Sequence, residues 1–361
     1  MRRALIVVLA GSVAVLGGGC SRKAGVSPTA EANAPSIAVV ASSGGFIMEA
    51  QQSGTTASLR GLSVVSDRVV WASGANGTVL RTLDGGATWQ TLPVPNAPTL
   101  DLRDLHAFNE TSAVAMATAG RLFRTADGGM HWTQVYASSD TSAFLDAISF
   151  WDAKHGIVIG DPIAGAFLVL LTDDGGVTWR ELGRAESPVA LPGEAAFAAS
   201  GTALAVAGRQ HVWFGTGGAA QARVFRSDDR GRRWSAANTD IVAGNASTGI
   251  FSVAFSDTLN GVIAGGDYRQ PSAVNSNLAV TRDGGRSFIV SRARPSQYLS
   301  SLAWHSPPLT LFGAGIAGVV HSAPGAAGWT TLDAGEWNAL GGGTRYTWVV
   351  GPAGRIARIK R

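Results

Sequence analysis

From residue 45 onward the chain alternates short apolar runs with Gly-containing polar turns, a pattern that predicts β-strands joined by tight connections. The clearest pairs are Val69 to Gly74 with Thr78 to Thr82, and Ala113 to Thr118 with Arg121 to Thr125. One register position keeps its character throughout. Val79, Leu122, Val169, Val224, Leu278 and Val319 each stand on a strand leading into a polar turn, three residues before that turn begins. Successive side chains on a strand point to opposite faces, so these aliphatic residues are expected to lie between neighbouring sheets.

The turn itself repeats. It reads Thr82-Leu-Asp84-Gly-Gly86-Ala-Thr-Trp89, Thr125-Ala-Asp127-Gly-Gly129-Met-His-Trp132 and Thr172-Asp-Asp174-Gly-Gly176-Val-Thr-Trp179. Looser copies are Ser227-Asp-Asp229-Arg-Gly231-Arg-Arg-Trp234, Thr281-Arg-Asp283-Gly-Gly285-Arg-Ser-Phe288 and a decayed Ser322-Ala-Pro324-Gly-Ala326-Ala-Gly-Trp329. The aromatics at 89, 132, 179, 234, 288 and 329 are spaced by 43, 47, 55, 54 and 41 residues, a period that signals a repeat architecture. This is the Asp box, the bacterial neuraminidase repeat. Its chemistry is structural: the Asp accepts bonds from backbone N–H groups of a tight turn, the Gly allows positive φ, and the aromatic covers the turn. An EF-hand-type loop needs several oxygen ligands at alternating positions and a distal Glu; no box supplies them, so no metal is expected.

Each unit of about 45 residues reads as four antiparallel strands with the box between the third and fourth, which is a propeller blade. Six boxes would suggest six blades, but the chain ends predict seven. Two strands, around Tyr346 to Gly351 and Arg355 to Ile359, follow the last box, with Ile356 in the aliphatic slot. Phe46 lies 13 and 16 residues before Leu59 and Leu62, just as Trp89 does before Leu102 and Leu105, so Phe46 occupies the place of a box aromatic opening a fourth strand. The fold class expected is therefore all-β, a seven-bladed β-propeller whose last blade is closed by the N-terminal strand, which removes two free sheet edges.

Ahead of the repeats, residues 1–20 read as a signal peptide: Arg2 and Arg3 precede an apolar run from Ala4 to Leu16, which is too short to span a bilayer. The run ends at Cys20, the single cysteine, and Leu16-Gly-Gly-Gly-Cys20 resembles a bacterial lipoprotein cleavage site, although Gly17 stands where an aliphatic residue is usual. Lipid attachment at Cys20 would place the chain in the periplasm or cell envelope, anchored to a membrane. Residues 21–44, rich in Ser, Ala and Pro, read as a flexible tether, with the propeller spanning 45–361. Composition agrees with a large β core: of 361 residues 47 are Gly and 11 Trp, and only 15% are charged. The formal charge of +4 arises from scattered arginines, without the basic tract of a nucleic-acid footprint.

Function is expected on the face built from the loops joining second to third strands within a blade and each blade to the next, opposite the boxes. These within-blade loops are expected to be longer in the third, fourth and fifth units. Asp161, Arg209, His211, Trp213, Asp267, Tyr268 and Arg269 are read there as one ligand- or partner-binding patch, with Glu194 beside it. The same residues have a structural reading, in which Asp161 and Asp267 cap turns, the arginines pair with them, and His211 and Trp213 pack the loop.

On its boxes, such as Asp84-Gly-Gly-Ala-Thr-Trp89, and the strands before them, the span 45–361 resembles the photosystem II assembly and stability factor family and its relatives in non-photosynthetic bacteria. That resemblance implies an exported seven-bladed propeller that holds a protein partner, such as a membrane protein complex, and no cofactor or catalytic residue. A monomer is expected. The competing class is a propeller enzyme or glycan binder, with sialidases first because the boxes recur there. The Arg-Ile-Pro motif of sialidases is absent, and of Tyr136, Tyr268, Tyr298 and Tyr346 only Tyr268 falls in a suitable loop. A glycoside hydrolase would need facing carboxylates, which Asp161, Glu194 and Asp267 supply only if their loops converge.

Overall fold

The apolar strands and Gly-closed turns assemble into seven antiparallel sheets, in a computed structural model that describes residues 38–361 except 96, 274, 307–308 and 324–327. Cys20, the segment ahead of it and residues 21–37 of the tether lie outside the described residues. Blade one is Leu59–Val64, Val70–Gly74, Val79–Thr82 and Gln90–Thr91 in that order, and blades two to six repeat the pattern. The innermost strands of consecutive blades touch one another around the molecule, and that of blade seven, Ala339–Gly341, returns to Leu59–Val64. The ring is closed.

Blade seven closes it as the chain ends predict. Its sheet runs Ala339–Gly341, Thr347–Val350, Ile356–Lys360 and then Phe46–Gln51 from the N-terminus. Glu49 on the N-terminal strand takes Arg358 at 2.9 Å and Lys360 at 2.5 Å from the C-terminal strand. Burial would raise the Glu49 carboxyl, but these two cations outweigh it and hold the group below its usual range. A further strand, Ala38–Ser43, pairs on the outside of Phe46–Gln51, so the blade has five strands. It begins ahead of residue 45, where the sequence pattern places the first repeat; hairpin pairing across Gly44 and Gly45, both at positive φ, extends it.

The aliphatic register holds in every blade: Val79, Leu122, Val169, Val224, Leu278, Val319 and Ile356 are all buried. They join separate apolar clusters between adjacent sheets, so the core is a set of seams. Each of the first five boxes is a closed hydrogen-bonded unit. In the first, Asp84 Oδ1 accepts from the Thr88 amide at 2.9 Å and Oδ2 from the Thr88 hydroxyl at 2.6 Å. The leading hydroxyl, to which the sequence pattern assigned no task, donates to Asp84 at 2.8 Å and accepts from the Gly86 amide at 2.8 Å. Gly86 has φ +83°, and a Cβ there would strike the Gln51 side chain. The box therefore needs its hydroxyl as much as its Asp.

Candidate functional site

On the face opposite the boxes, four innermost strands carry a β-bulge near their starts. The register slips between Leu59 and Gly61, Leu102 and Asp104, Leu145 and Ala147, and Ile250 and Ser252. A bulge leaves one extra residue unpaired and re-aims its side chain. The extra residues are Arg60, Arg103, Asp146 and Phe251. Arg60, Arg103 and Phe251, together with Ser300 and Asn338 at the corresponding points of blades six and seven, line one cavity of about 350 Å³ at the mouth of the central channel.

The wall of this mouth is aromatic. Phe251 makes edge contacts with Tyr298 at 4.8 Å and Tyr268 at 6.0 Å, and Trp337 closes the blade-seven side. Phe251, Tyr298 and Trp337 are buried, whereas Tyr268 (37% exposed) and Ile316 (40%) stand at the rim. Burial pushes the Tyr298 hydroxyl far above its ordinary range, so it stays protonated.

The floor is a chain segment. The connection from blade three to blade four is long, and its residues Ala196 to Thr202 cross beneath the mouth. Phe197 stacks on Phe251 with ring centres 3.8 Å apart. The Ala199 carbonyl accepts from Arg60 at 3.3 Å and the Ala198 carbonyl from Arg103 at 3.2 Å, reaching blades one and two. Ser200 donates to the Ser300 carbonyl at 2.7 Å, reaching blade six. Arg103 is neutralised by Asp101 at 2.6 Å; among the described residues Arg60 has no salt bridge, and burial lowers its affinity for its proton.

The residues singled out in the sequence divide between the two faces. Tyr268 lines the mouth, and Arg269 lies over its ring at 6.0 Å. Asp267 is buried and caps its turn by accepting from the Arg269 amide at 2.9 Å. Asp161 sits under the floor, accepting from the Ala196 amide at 3.1 Å, and burial raises its carboxyl to about 6. Arg209 and His211 are elsewhere. The first strand of blade four is the short Leu204–Ala207 and its second is His211–Gly215, so both flank the turn between first and second strands, on the box face. There the Arg209 carbonyl accepts from Arg230 of the fourth box at 2.8 Å. Trp213 is buried in the seam between blades four and five, stacked 3.7 Å from Phe255 and donating to the Gly284 carbonyl at 2.8 Å. The long connection of blade four is instead Thr216 to Ala222, which carries none of these side chains. Glu194 is locked to Arg223, and also accepts from Thr216 at 2.6 Å and the Leu191 amide at 2.8 Å.

The residues that sequence reasoning passed over had a signal. Leu59-Arg-Gly-Leu62, Leu102-Arg-Asp-Leu105, Leu145-Asp-Ala-Ile148, Ile250-Phe-Ser-Val253 and Leu299-Ser-Ser-Leu302 recur in blades one, two, three, five and six. The second residue of each occupies the bulge or its equivalent.

The sequence profile of the family described as photosynthesis system II assembly factor YCF48 matches residues 99–243, which span blades two to four. No curated protein sequence matches the chain. Among solved structures, YCF48 bound to a D1 peptide is 16% identical, covers 87% of this chain and 95% of its own, and has a TM-score of 0.61. YCF48 from Cyanidioschyzon merolae is 15% identical over 87% and 98% of the two chains, at a TM-score of 0.63. A catalytically inactive virginiamycin B lyase from Staphylococcus aureus with quinupristin is 12% identical over 88% and 99%, at 0.62. The chain resembles the YCF48 family and shares its seven-bladed propeller; at these identities the structural likeness establishes the fold alone.

Proposed function

We propose that this chain is a protein-binding propeller of the assembly-factor kind, holding a segment of a partner at the mouth on the face opposite the boxes. The observation that carries the reading is the mouth itself: a cavity of about 350 Å³ with an aromatic wall, an exposed apolar rim at Tyr268 and Ile316, and a half-buried arginine, Arg60, that donates to the Ala199 carbonyl and has no salt bridge among the described residues. Such a site buries an apolar side chain and offers a donor to a carbonyl or carboxylate beside it. The solved YCF48 with a bound D1 peptide lends support by likeness of fold and of profile. A glycan is the alternative ligand, but a sugar platform needs open aromatic faces, and of Phe251, Tyr268, Tyr298 and Trp337 only Tyr268 is exposed. The carboxylates weighed for hydrolysis do not face one another across the mouth. Asp161 bonds the floor, Glu194 holds Arg223, and Asp267 caps its own turn.

The signal-like N-terminus and Cys20 extend the proposal to an exported chain tethered to a membrane, so that the partner would belong to the cell envelope. Incorporation of a palmitate analogue that disappears in Cys20→Ser is the expected result, and an unlabelled wild type removes the anchor. Docking is tested by capture from detergent-solubilised envelope. Tyr268→Arg with Ile316→Arg is expected to lose the captured protein, while Met130→Arg with Leu259→Arg, on the box face, retains it. The reverse pattern overturns the assignment.

A further inference from the structure

Three carboxyl groups flank the floor of the mouth, all from blades two and three; Asp104 and Asp146 are buried and Asp161 is half-buried. Asp161 accepts from the Ala196 amide. Asp104, buried on the innermost strand of blade two, accepts from its neighbour Leu105 at 2.8 Å and from the Ile148 amide of blade three at 2.8 Å. It also touches the floor: a Cβ added to Gly201 would lie 2.3 Å from its Oδ1. In blades five and six the same position holds Ser252 and Ser301, each accepting from the next blade's amide, Leu302 and Leu340. A serine suffices for that seam, so a carboxyl in blade two is not required by the fold. Asp146 is the third. It is wholly buried at the bulge of blade three, where the Ala198 amide of the floor reaches its carboxylate without forming a well-aligned hydrogen bond. Asp161, Arg103 and the Ala198 amide are all within its electrostatic reach.

We propose that Asp104, Asp146 and Asp161 form a proton-operated latch on the Ala196–Thr202 segment: with protons on the acids the segment seats across the channel, and with the carboxylates ionised it lifts. The effect on a partner rests on the mouth being the docking site; the latch itself does not. The argument is electrostatic. The cation that reaches the cluster is Arg103, which acts on Asp146 and is already paired with Asp101; Arg60 lies beyond it, facing Arg103 and Asp101. Tyr298 and Glu336 face Arg60 from the far side and add no positive charge. A second ionised carboxylate beside Asp161 is therefore uncompensated where it lies. Its relief is to draw Arg103 off the Ala198 carbonyl or to admit water, and either loosens the floor.

The proton affinities agree in direction. Burial raises Asp104 to about 7 against the bonds from Ile148 and Leu105, and raises Asp161 to about 6 against the bond from Ala196. Burial, and then the charge of Asp161, put Asp146 well above its ordinary range despite Arg103. Acids that hold protons more tightly in the seated state favour that state most below about pH 4, the range of free carboxyls, and favour it progressively less as pH rises to about 7.

Hydrogen exchange of peptides covering residues 196–202, corrected for intrinsic chemistry, tests the latch between pH 4.5 and 7.5. Protection in the wild type is expected to fall about tenfold or more, as for one unit of pKa difference, while box peptides around 82–89 hold theirs. Asp146→Asn mimics the protonated acid and is expected to flatten the profile; Asp161→Asn is the second variant should the first not fold. A flat wild-type profile, or an unchanged slope in both variants, overturns the latch. A flat profile with partner capture intact removes the latch and leaves docking. A falling profile with no capture at either pH removes docking and leaves the latch.

Discussion

The two faces of the ring use the same residue type to opposite ends. On the box face Asp84, Asp174 and Asp283 sit in turns whose amides and hydroxyls bond both oxygens, and although burial would raise them, those bonds hold each carboxyl below its ordinary range. Asp127 is held at about 2 chiefly by the His131 amide and ring, against a smaller effect of burial. On the mouth face Asp104, Asp146 and Asp161 are raised, because burial outweighs the few donors that reach them. On one face bonding outweighs burial, and on the other burial outweighs bonding. The difference teaches where to look in a repeat protein: repetition marks the scaffold, and function is sought where equivalent positions stop agreeing, as Arg60, Arg103, Asp146, Phe251, Ser300 and Asn338 do.

The largest effect that would break this comparison belongs to the box face. Gly176 has φ +77°, and a Cβ there would approach Val114 Cγ2 to 2.8 Å. Gly176→Val should cost about 3 kcal/mol, from a β-branched residue in the left-handed region and an overfilled seam, read as a lowered midpoint in urea. A loss under about 1 kcal/mol would mean that the boxes are not the rigid side of the molecule.

A smaller effect lies in the pH dependence of stability. Box carboxyls with lowered pKa contribute stability above about pH 4 that is lost as pH falls toward about 2, the value for Asp127. Mouth carboxyls with raised pKa stay protonated in the folded chain after the unfolded chain ionises, so stability falls as pH rises from about 4 through 6 and 7, the values for Asp161 and Asp104. Stability should therefore peak on the acid side, near pH 4–5. Asp146→Asn should raise stability at pH 7 and change nothing at pH 3, where the acid is protonated in both states. An equal change at both pH values would place the effect in packing.

Smallest of all, Tyr268→Ala and Ile316→Ala at the rim should each shift stability by no more than about 0.5 kcal/mol, since neither is buried. A larger loss in the thermal melt would make them structural and leave the mouth without an exposed contact surface.

The scaffold was legible in the sequence because each box is local. Thr82, Asp84, Gly86 and Thr88 act within one turn, and the aliphatic slot from Val79 to Ile356 is a register that alternation alone reveals. Even the closure could be read, since Phe46 keeps the spacing of a box aromatic to the two leucines beyond it. The mouth was less legible because its contacts join distant segments: Arg60 to Ala199, and Ser200 to Ser300. Arg209, His211 and Trp213 were assigned to the wrong surroundings for a related reason. The first strand of blade four is only Leu204–Ala207, its upper part replaced by the crossing segment, so the strand beginning at His211 was taken for the loop after it. Tyr268 was found because its loop is long in the sequence as well as in space.

Site-specific photo-crosslinking in intact cells tests the central claim most directly. With the crosslinking residue at position 268 or 316, one discrete protein adduct is predicted; at position 130 or 259, on the box face, none is. Adducts from the box positions alone, with the mouth positions silent, would contradict the account.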